Sequence, residues 1–84
     1  MTELIQQYAE EIEDSSGTRY KILAYGEARP DGNWEGWLEF HPTSAIGGVL
    51  RTGRETTQPN RQALAYWASG LEPLYFEGAL ARAR

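Results

Sequence analysis

Two segments in the first half of the chain alternate apolar and polar residues, and a turn sequence separates them. The segments are residues 20–29 and 34–41, and such alternation is typical of strands because successive side chains point to opposite faces of a sheet. Between them, residues 30–33 read Pro-Asp-Gly-Asn. Proline presets φ for a turn, aspartate bonds its own backbone, and glycine accepts a left-handed conformation. The pattern therefore predicts a β-hairpin.

The second half of the chain predicts one more strand and two helices. Residues 49–57 favour a strand that becomes polar towards its end. Thr57-Gln58-Pro59 predicts a helix start, because proline fits the first helical turn, where its missing N–H costs nothing. Apolar residues then follow at helical spacing, namely Leu64, Trp67, Ala68 and Leu71. A proline inside a helix costs about 3 kcal/mol, so Pro73 predicts a break and the start of a second short helix.

The first 14 residues are acidic and have a helical stripe of apolar side chains. Five acids and no base lie here: Glu3, Glu10, Glu11, Glu13 and Asp14. The apolar residues recur at the spacing of one helix face: Leu4, Ile5, Tyr8, Ala9 and Ile12. Thr2 favours a helix start, and the Ser-Ser-Gly of residues 15–17 favours its end. We predict an acidic N-terminal helix packed on the domain. The alternatives are an acidic arm that orders on a basic partner, and a frayed tail.

Together these elements predict an α+β domain. The order α-β-β-β-α-α implies a three-stranded antiparallel meander, with the C-terminal helices packed on one face and the acidic helix at the N-terminus. A chain of 84 residues has room for one core. We therefore expect residues 18–84 to form a single domain and residues 1–17 to be an acidic helix or arm with a linker. Cysteine is absent, which excludes disulfides and thiolate-bound metals.

The charge and hydropathy of the chain disfavour several classes of function. The net charge is −4, which disfavours nucleic acid as a partner without excluding it. No apolar run approaches the roughly 18 residues that a membrane span requires. The N-terminus is acidic where a secretory signal is basic. We therefore expect a soluble cytoplasmic protein that has no membrane partner.

No motif for catalysis or cofactor binding is evident. His41 is the single histidine, and no metal-ligand spacing surrounds it. No serine lies in a nucleophile elbow, and Gly47-Gly48 precedes a strand rather than a helix, so a phosphate loop is unsupported. Glu35 and Glu39 are about 13 Å apart along a strand, too far for a paired-carboxylate site. We expect no catalytic residue, no cofactor and no metal, and a protein that is not an enzyme.

The alternation of the strands assigns side chains to two sheet faces. The more apolar set is expected to face the helices: Ile22, Ala24, Leu38 and Phe40. The opposite face carries the candidate interaction surface, namely Tyr25, Glu35, Trp37, Glu39, Arg51 and Arg54. An exposed aromatic patch is typical of an interaction site. Two interpretations stay open: the face binds a partner, or the N-terminal helix lies across it and buries Tyr25 and Trp37.

The polar stretch at residues 51–58 runs into the predicted helix start and also has two interpretations. Arg51 and Arg54, with backbone donors at the helix start, would bind an anion. In the structural alternative, Thr56 or Thr57 caps the helix. The arginines then pair with acidic residues across the sheet: Glu35, Glu39 or Glu55.

Three stretches of the chain are distinctive: RPDGNWEGWLEF at residues 29–40, LRTGRETTQPN at 50–60 and ALAYWASGLEPLYFEGALARA at 63–83. Together they resemble a family of small bacterial proteins of unknown function. This resemblance implies no activity. More loosely, three antiparallel strands followed by a helix resemble the HicB antitoxin domain in topology, which implies a regulator that binds another protein. HicB proteins commonly add a DNA-binding segment, and no basic stretch here matches one.

We therefore expect a non-catalytic protein-interaction or regulatory module, HicB-like in its most concrete form. Its partner would be another protein or a second copy of the chain. The alternative function is binding of single-stranded RNA or DNA. In that case bases would stack on Tyr25 and Trp37, and phosphates would contact Arg51 and Arg54.

Overall fold

The computed structural model describes residues 1–44 and 46–84. These residues form five strands followed by two helices: β1 (Glu3–Glu13), β2 (Arg19–Ala28), β3 (Trp34–Pro42), β4 (Leu50–Arg51), β5 (Thr56–Gln58), α1 (Arg61–Ser69) and α2 (Pro73–Arg82). The sheet is antiparallel in the order β1-β2-β3-β4, and β5 also pairs with β3. The predicted α+β class, the antiparallel meander and the two C-terminal helices are confirmed, whereas the predicted number of three strands is wrong, because the sheet has five. The composition of residues 42–48 predicts a loop, and one of its positions lies outside the described residues.

The N-terminal segment is a strand, so the predicted acidic helix is wrong. β1 pairs with β2 and forms one edge of the sheet. Two register shifts, within residues 4–6 and 7–11, insert extra residues into β1 relative to β2. Such bulges interrupt the alternation of a strand. As a result, the side chains that join the core recur three and four positions apart, at Ile5, Tyr8 and Ile12, which is the spacing that favours a helix.

Hydrogen-bonded turns close the first two hairpins of the meander. After β1, Asp14 Oδ1 accepts hydrogen bonds from the backbone N–H groups of Ser16 (3.0 Å) and Thr18 (2.9 Å). The Ser16 hydroxyl, followed by the Thr18 amide, holds the pKa of Asp14 below its usual value. After β2, Asp31 Oδ1 accepts a hydrogen bond from the Asn33 N–H at 3.0 Å, and the predicted hairpin is confirmed.

The segment predicted as a single strand at residues 49–57 is two short strands joined by a bend. Between β4 and β5, the Thr52 N–H donates to Leu38 O at 3.0 Å, while the Thr52 hydroxyl accepts from the Leu38 N–H at 3.0 Å. The threonine side chain thus takes the place of a backbone acceptor, and regular pairing ends. The chain rejoins β3 at Glu55, whose N–H donates to Gly36 O at 2.8 Å.

Asn60 caps α1, so the predicted cap at Thr56 or Thr57 is wrong. Asn60 Oδ1 accepts a hydrogen bond from the Ala63 N–H at 2.8 Å, a common role for asparagine at a helix start. Thr56 and Thr57 lie in β5 instead. The predicted break between the helices is confirmed, because α2 starts as a separate helix at Pro73.

The inner face of the sheet, which faces the helices, holds the core. The residues predicted for it are all buried: Ile22, Ala24, Leu38 and Phe40. Leu64 of α1 packs on the sheet backbone at Gly26 and Gly36, because an added Cβ at Gly36 would lie 2.6 Å from Leu64 Cδ1 and one at Gly26 would lie closer still. The Tyr8 hydroxyl donates to Ala68 O at 2.6 Å. The two glycines therefore let α1 approach the sheet, and the tyrosine ties β1 to that helix.

Candidate interaction surface

The outer face of the sheet, which points away from the helices, brings four of the predicted surface residues together. They are Tyr25, Trp37, Glu39 and Arg51. Tyr25 and Trp37 are cross-strand partners, and their rings stack with 6.5 Å between centroids and 16° between planes. Tyr25 also stacks on His41, at 6.4 Å between centroids. Each side chain of this outer-face cluster contacts at least one other member.

Trp37 is buried on the outer face by neighbouring side chains. Only 1% of its surface is exposed. Its Nε1 donates to Glu39 Oε2 at 3.1 Å, and the guanidinium carbon of Arg51 lies 4.1 Å from the ring centroid, a cation–π contact. The predicted cover of this face by an N-terminal helix is wrong. The N-terminal segment lies at the sheet edge as β1 and does not cross this face as a helix, and the indole ring is not open to solvent.

Glu39 links Trp37 to His41 through its two carboxylate oxygens. Oε2 accepts the hydrogen bond from Trp37, and Oε1 lies 2.9 Å from His41 Nε2. An ionised carboxylate only accepts hydrogen bonds, so a neutral His41 carries its hydrogen on Nε2 in this contact. Because 17% of the Glu39 side chain is exposed, the carboxylate is a fixed part of the cluster rather than a free surface charge.

Glu35 and Arg54, the other two predicted surface residues, have different surroundings. Glu35 accepts a hydrogen bond from Arg29 Nη1 at 3.0 Å. Arg54 is exposed in the bend between β4 and β5, and it has no ion-pair partner within residues 1–44 and 46–84. Arg51 is the cross-strand partner of Glu39 but places its guanidinium over the indole ring. The predicted arginine–glutamate pairs across the sheet are therefore wrong.

Leu4 extends the outer face onto β1. It is the cross-strand partner of Tyr25 and is 44% exposed. Leu4, Tyr25 and Trp37 consequently form a row across three strands. Residue spacing does not predict Leu4 at this position, because the bulges of β1 imitate helical spacing. Only the pairing register of β1 with β2 reveals it.

A second polar cluster, around Glu55, is structural. The Glu55 side chain is 8% exposed and accepts hydrogen bonds from the Tyr75 hydroxyl and from Arg82, each at 2.5 Å. Burial, followed by the hydrogen bond to Glu55, raises the pKa of Tyr75 to about 12. The phenol therefore stays protonated and donates at neutral pH. This cluster ties α2 to the bend between β4 and β5.

Searches for other kinds of site and for relatives give three negative results. In the part of the chain that the structure describes, no group of three or more histidine, aspartate or glutamate side chains is placed to hold a metal ion. No helix there is long and apolar enough to cross a membrane. No family model matches the chain, and neither a curated protein nor a solved structure is significantly similar to it.

Proposed function

We propose that the protein is a non-catalytic protein-interaction module that binds its partner through the outer face. The observation that carries this proposal is the burial of Trp37 at 1% exposure by side chains of its own sheet face. Tyr25, Glu39 and Arg51 supply that cover. Side chains that are already fixed lose little conformational entropy when a partner binds. The partner therefore meets a preformed surface.

The part of the outer face that is available for contact includes Tyr25, with Leu4 and His41 beside it. All three side chains are at least partly exposed. Tyrosine presents a large apolar area with a polar tip and is enriched at protein interfaces. A sheet face also accommodates a second sheet at a spacing of about 10 Å. The partner is another protein or a second copy of the chain, as for a regulatory module of the HicB kind.

Single-stranded nucleic acid is the less favoured ligand. Bases stack on an open aromatic face, and the Arg51 guanidinium lies over the Trp37 ring. The same contact places the Arg51 guanidinium where a base would have to stack on the indole. The net charge of −4 further opposes association with a polyanion.

Photo-crosslinking in the source cells tests the proposal. The photoreactive residue p-benzoylphenylalanine replaces Tyr25 in one version of the protein. In the matched control it replaces Tyr66, which is a tyrosine of α1 with 82% exposure. We expect a discrete product from position 25 that protease digests and nuclease does not, and no such product from position 66. The purified partner should then bind Tyr25→Ala about tenfold or more weakly than the native chain, as expected at an interface hot spot.

The other outcomes separate the alternatives. Equal products from both positions, or none from position 25, would contradict a contact surface on the outer face. A nuclease-sensitive product from position 25 would favour the nucleic-acid alternative. A protein product with twice the mass of the chain would identify the partner as a second copy.

A further inference from the structure

An apolar strip on the inner face stays open near the first hairpin. Its floor is formed by Ile12 of β1, Leu50 of β4 and Leu80 of α2, each of which is only half-buried. These residues line a depression of about 410 Å³. A second depression of about 260 Å³ lies beside it and reaches Phe76. Because the two share Ile12 and Glu77 as lining residues, we describe them together as the β1–α2 groove.

Acidic side chains rim the β1–α2 groove. Glu10 and Glu13 lie on its β1 side and Glu77 on its α2 side, and no lysine or arginine is among the described residues that line it. Glu13 and Glu11, which also lines the groove, contact Arg19 at 3.5 Å and 3.2 Å. Within residues 1–44 and 46–84, Glu10 and Glu77 have no ion-pair partner. The rim therefore carries uncompensated negative charge beside an apolar floor.

The charge of β1 determines which occupant suits the groove. β1 is an edge strand, so one side of its backbone is free to pair with an added strand. All four charged residues of β1 are glutamates. A second copy of the chain that paired there would place glutamates opposite glutamates, which is destabilising. A basic segment has the complementary charge.

We propose that the β1–α2 groove binds a basic extended segment of a partner protein, in which large aliphatic residues separate lysines or arginines. The aliphatic side chains enter the depressions over Ile12 and Leu80. The basic side chains pair with Glu10 and Glu77. The groove is on the inner face, so the proposal does not rest on the outer face, and its failure would leave the proposed function untouched.

Fluorescent peptides of equal length test this binding site, with anisotropy as the readout and the purified full chain as the receptor. The probe alternates lysine and leucine. One comparator alternates lysine and serine, and the other alternates glutamate and leucine. We expect the lysine–leucine peptide to bind best and to weaken between about 50 mM and about 500 mM salt, because screening reduces exposed ion pairing. Equal binding of the lysine–serine peptide would overturn the proposal, since the apolar floor would then contribute nothing.

Matched variants locate the charges that attract the peptide. Glu10→Gln with Glu77→Gln removes two carboxylates from the rim, and Glu27→Gln with Glu72→Gln removes two that do not line the groove. An exposed ion pair changes an equilibrium constant roughly 1.4- to 5-fold. The rim variant should therefore weaken peptide binding about 2- to 30-fold, and the control variant less than about twofold. An equal loss in both variants would show unspecific attraction and would overturn the proposal.

Backbone amide NMR of the native chain gives a second readout. During titration with the lysine–leucine peptide, the largest chemical-shift changes should fall in residues 10–14 and 77–81. Changes centred on Tyr25 would overturn the assignment to the groove. A dimer of the free protein whose dissociation constant changes in the rim variant would also overturn it, because a second copy would then be the occupant.

Discussion

The two faces of the sheet bury large side chains to the same extent by different means. On the inner face, Leu64 of α1 lies against the backbone of Gly26 and Gly36, and it is 1% exposed. On the outer face, Trp37 is also 1% exposed, but its cover includes the guanidinium of Arg51. The inner-face residue lies directly against sheet backbone at two glycines. The outer-face residue is covered by the side chains of Tyr25, Glu39 and Arg51.

This difference shows that the exposed fraction of a side chain does not by itself define a core residue. Backbone walls resist collapse when a side chain is truncated, so a cavity remains and its cost is added to the lost transfer free energy. Side-chain walls relax more easily and fill part of the space. Equal burial on the two faces should therefore have unequal effects on the free energy of unfolding.

Leu64→Ala should have the largest effect, a loss of about 4 kcal/mol in the free energy of unfolding, measured by urea denaturation. Gly36→Ala tests the same contact from the side of the sheet, because an added Cβ there would lie 2.6 Å from Leu64 Cδ1. Gly36→Ala should therefore destabilise the native chain more than it destabilises the Leu64→Ala variant. If Gly36→Ala destabilised the native chain and the Leu64→Ala variant equally, the packing of Leu64 would not require a residue without a side chain at position 36.

Trp37→Ala should lower the free energy of unfolding by a smaller amount, about 3 kcal/mol, which is the low end for truncation of a buried tryptophan. The reason is that Tyr25 and Arg51 can move into the vacated space. Trp37→Phe keeps an aromatic ring but loses the hydrogen bond to Glu39 and part of the buried volume, so it serves as the milder control in the same urea experiment. If Trp37→Ala lowered the free energy of unfolding more than Leu64→Ala does, the proposed difference between the two faces would be contradicted. If it caused no change, the indole would contribute no more to stability than an exposed side chain.

Asp14→Asn should change the free energy of unfolding least. Asp14 lies in the turn between β1 and β2 rather than on a sheet face, so this variant is a reference for the other two. Hydrogen bonds, first from the Ser16 hydroxyl and then from the Thr18 amide, lower the pKa of Asp14 below its ordinary value of 3.8. A carboxyl group with a lowered folded-state pKa contributes stability that is complete above the unfolded pKa and is lost as the pH falls through the folded one. The native chain should therefore lose this contribution progressively below pH 3.8.

The asparagine variant should be slightly less stable than the native chain at neutral pH, and the two should converge in acid. Asparagine still accepts the backbone hydrogen bonds through its one oxygen, but the Tyr20 hydroxyl loses the Oδ2 acceptor that it contacts at 3.1 Å. Urea denaturation across the acid range measures the difference. A constant gap between the two proteins at every pH would contradict the assignment of the titrating group to Asp14.

The parts of the fold that can be predicted from the sequence are those encoded by residues close together along the chain. The β2–β3 hairpin follows from strict alternation on both sides of residues 30–33, and the break between α1 and α2 follows from Pro73. β1 is not predictable in this way. Its bulges place Ile5, Tyr8 and Ile12 at helical spacing, and only pairing with β2, the next strand along the chain, determines that the segment is a strand.

The outer-face cluster is predictable only in part. Period-two alternation places Tyr25, Trp37 and Glu39 on one face, because that depends on backbone geometry alone. Whether the indole ring is open depends on where the Arg51 guanidinium lies, which is a contact between side chains of different strands. Spacing along the chain does not encode that contact. Leu4 joins the surface for a similar reason, through the register of β1 with β2.

Acrylamide quenching of Trp37 fluorescence tests most directly whether the outer face is closed over its indole ring. Trp34→Phe with Trp67→Phe, at two half-buried positions, leaves Trp37 as the sole indole. At 1% exposure, quenching should be several-fold weaker in the folded protein than in urea, and Arg51→Ala should increase it. Quenching as strong in the folded protein as in urea would contradict a closed face. The ring would then be an open platform, and base stacking would explain the surface better than a protein partner.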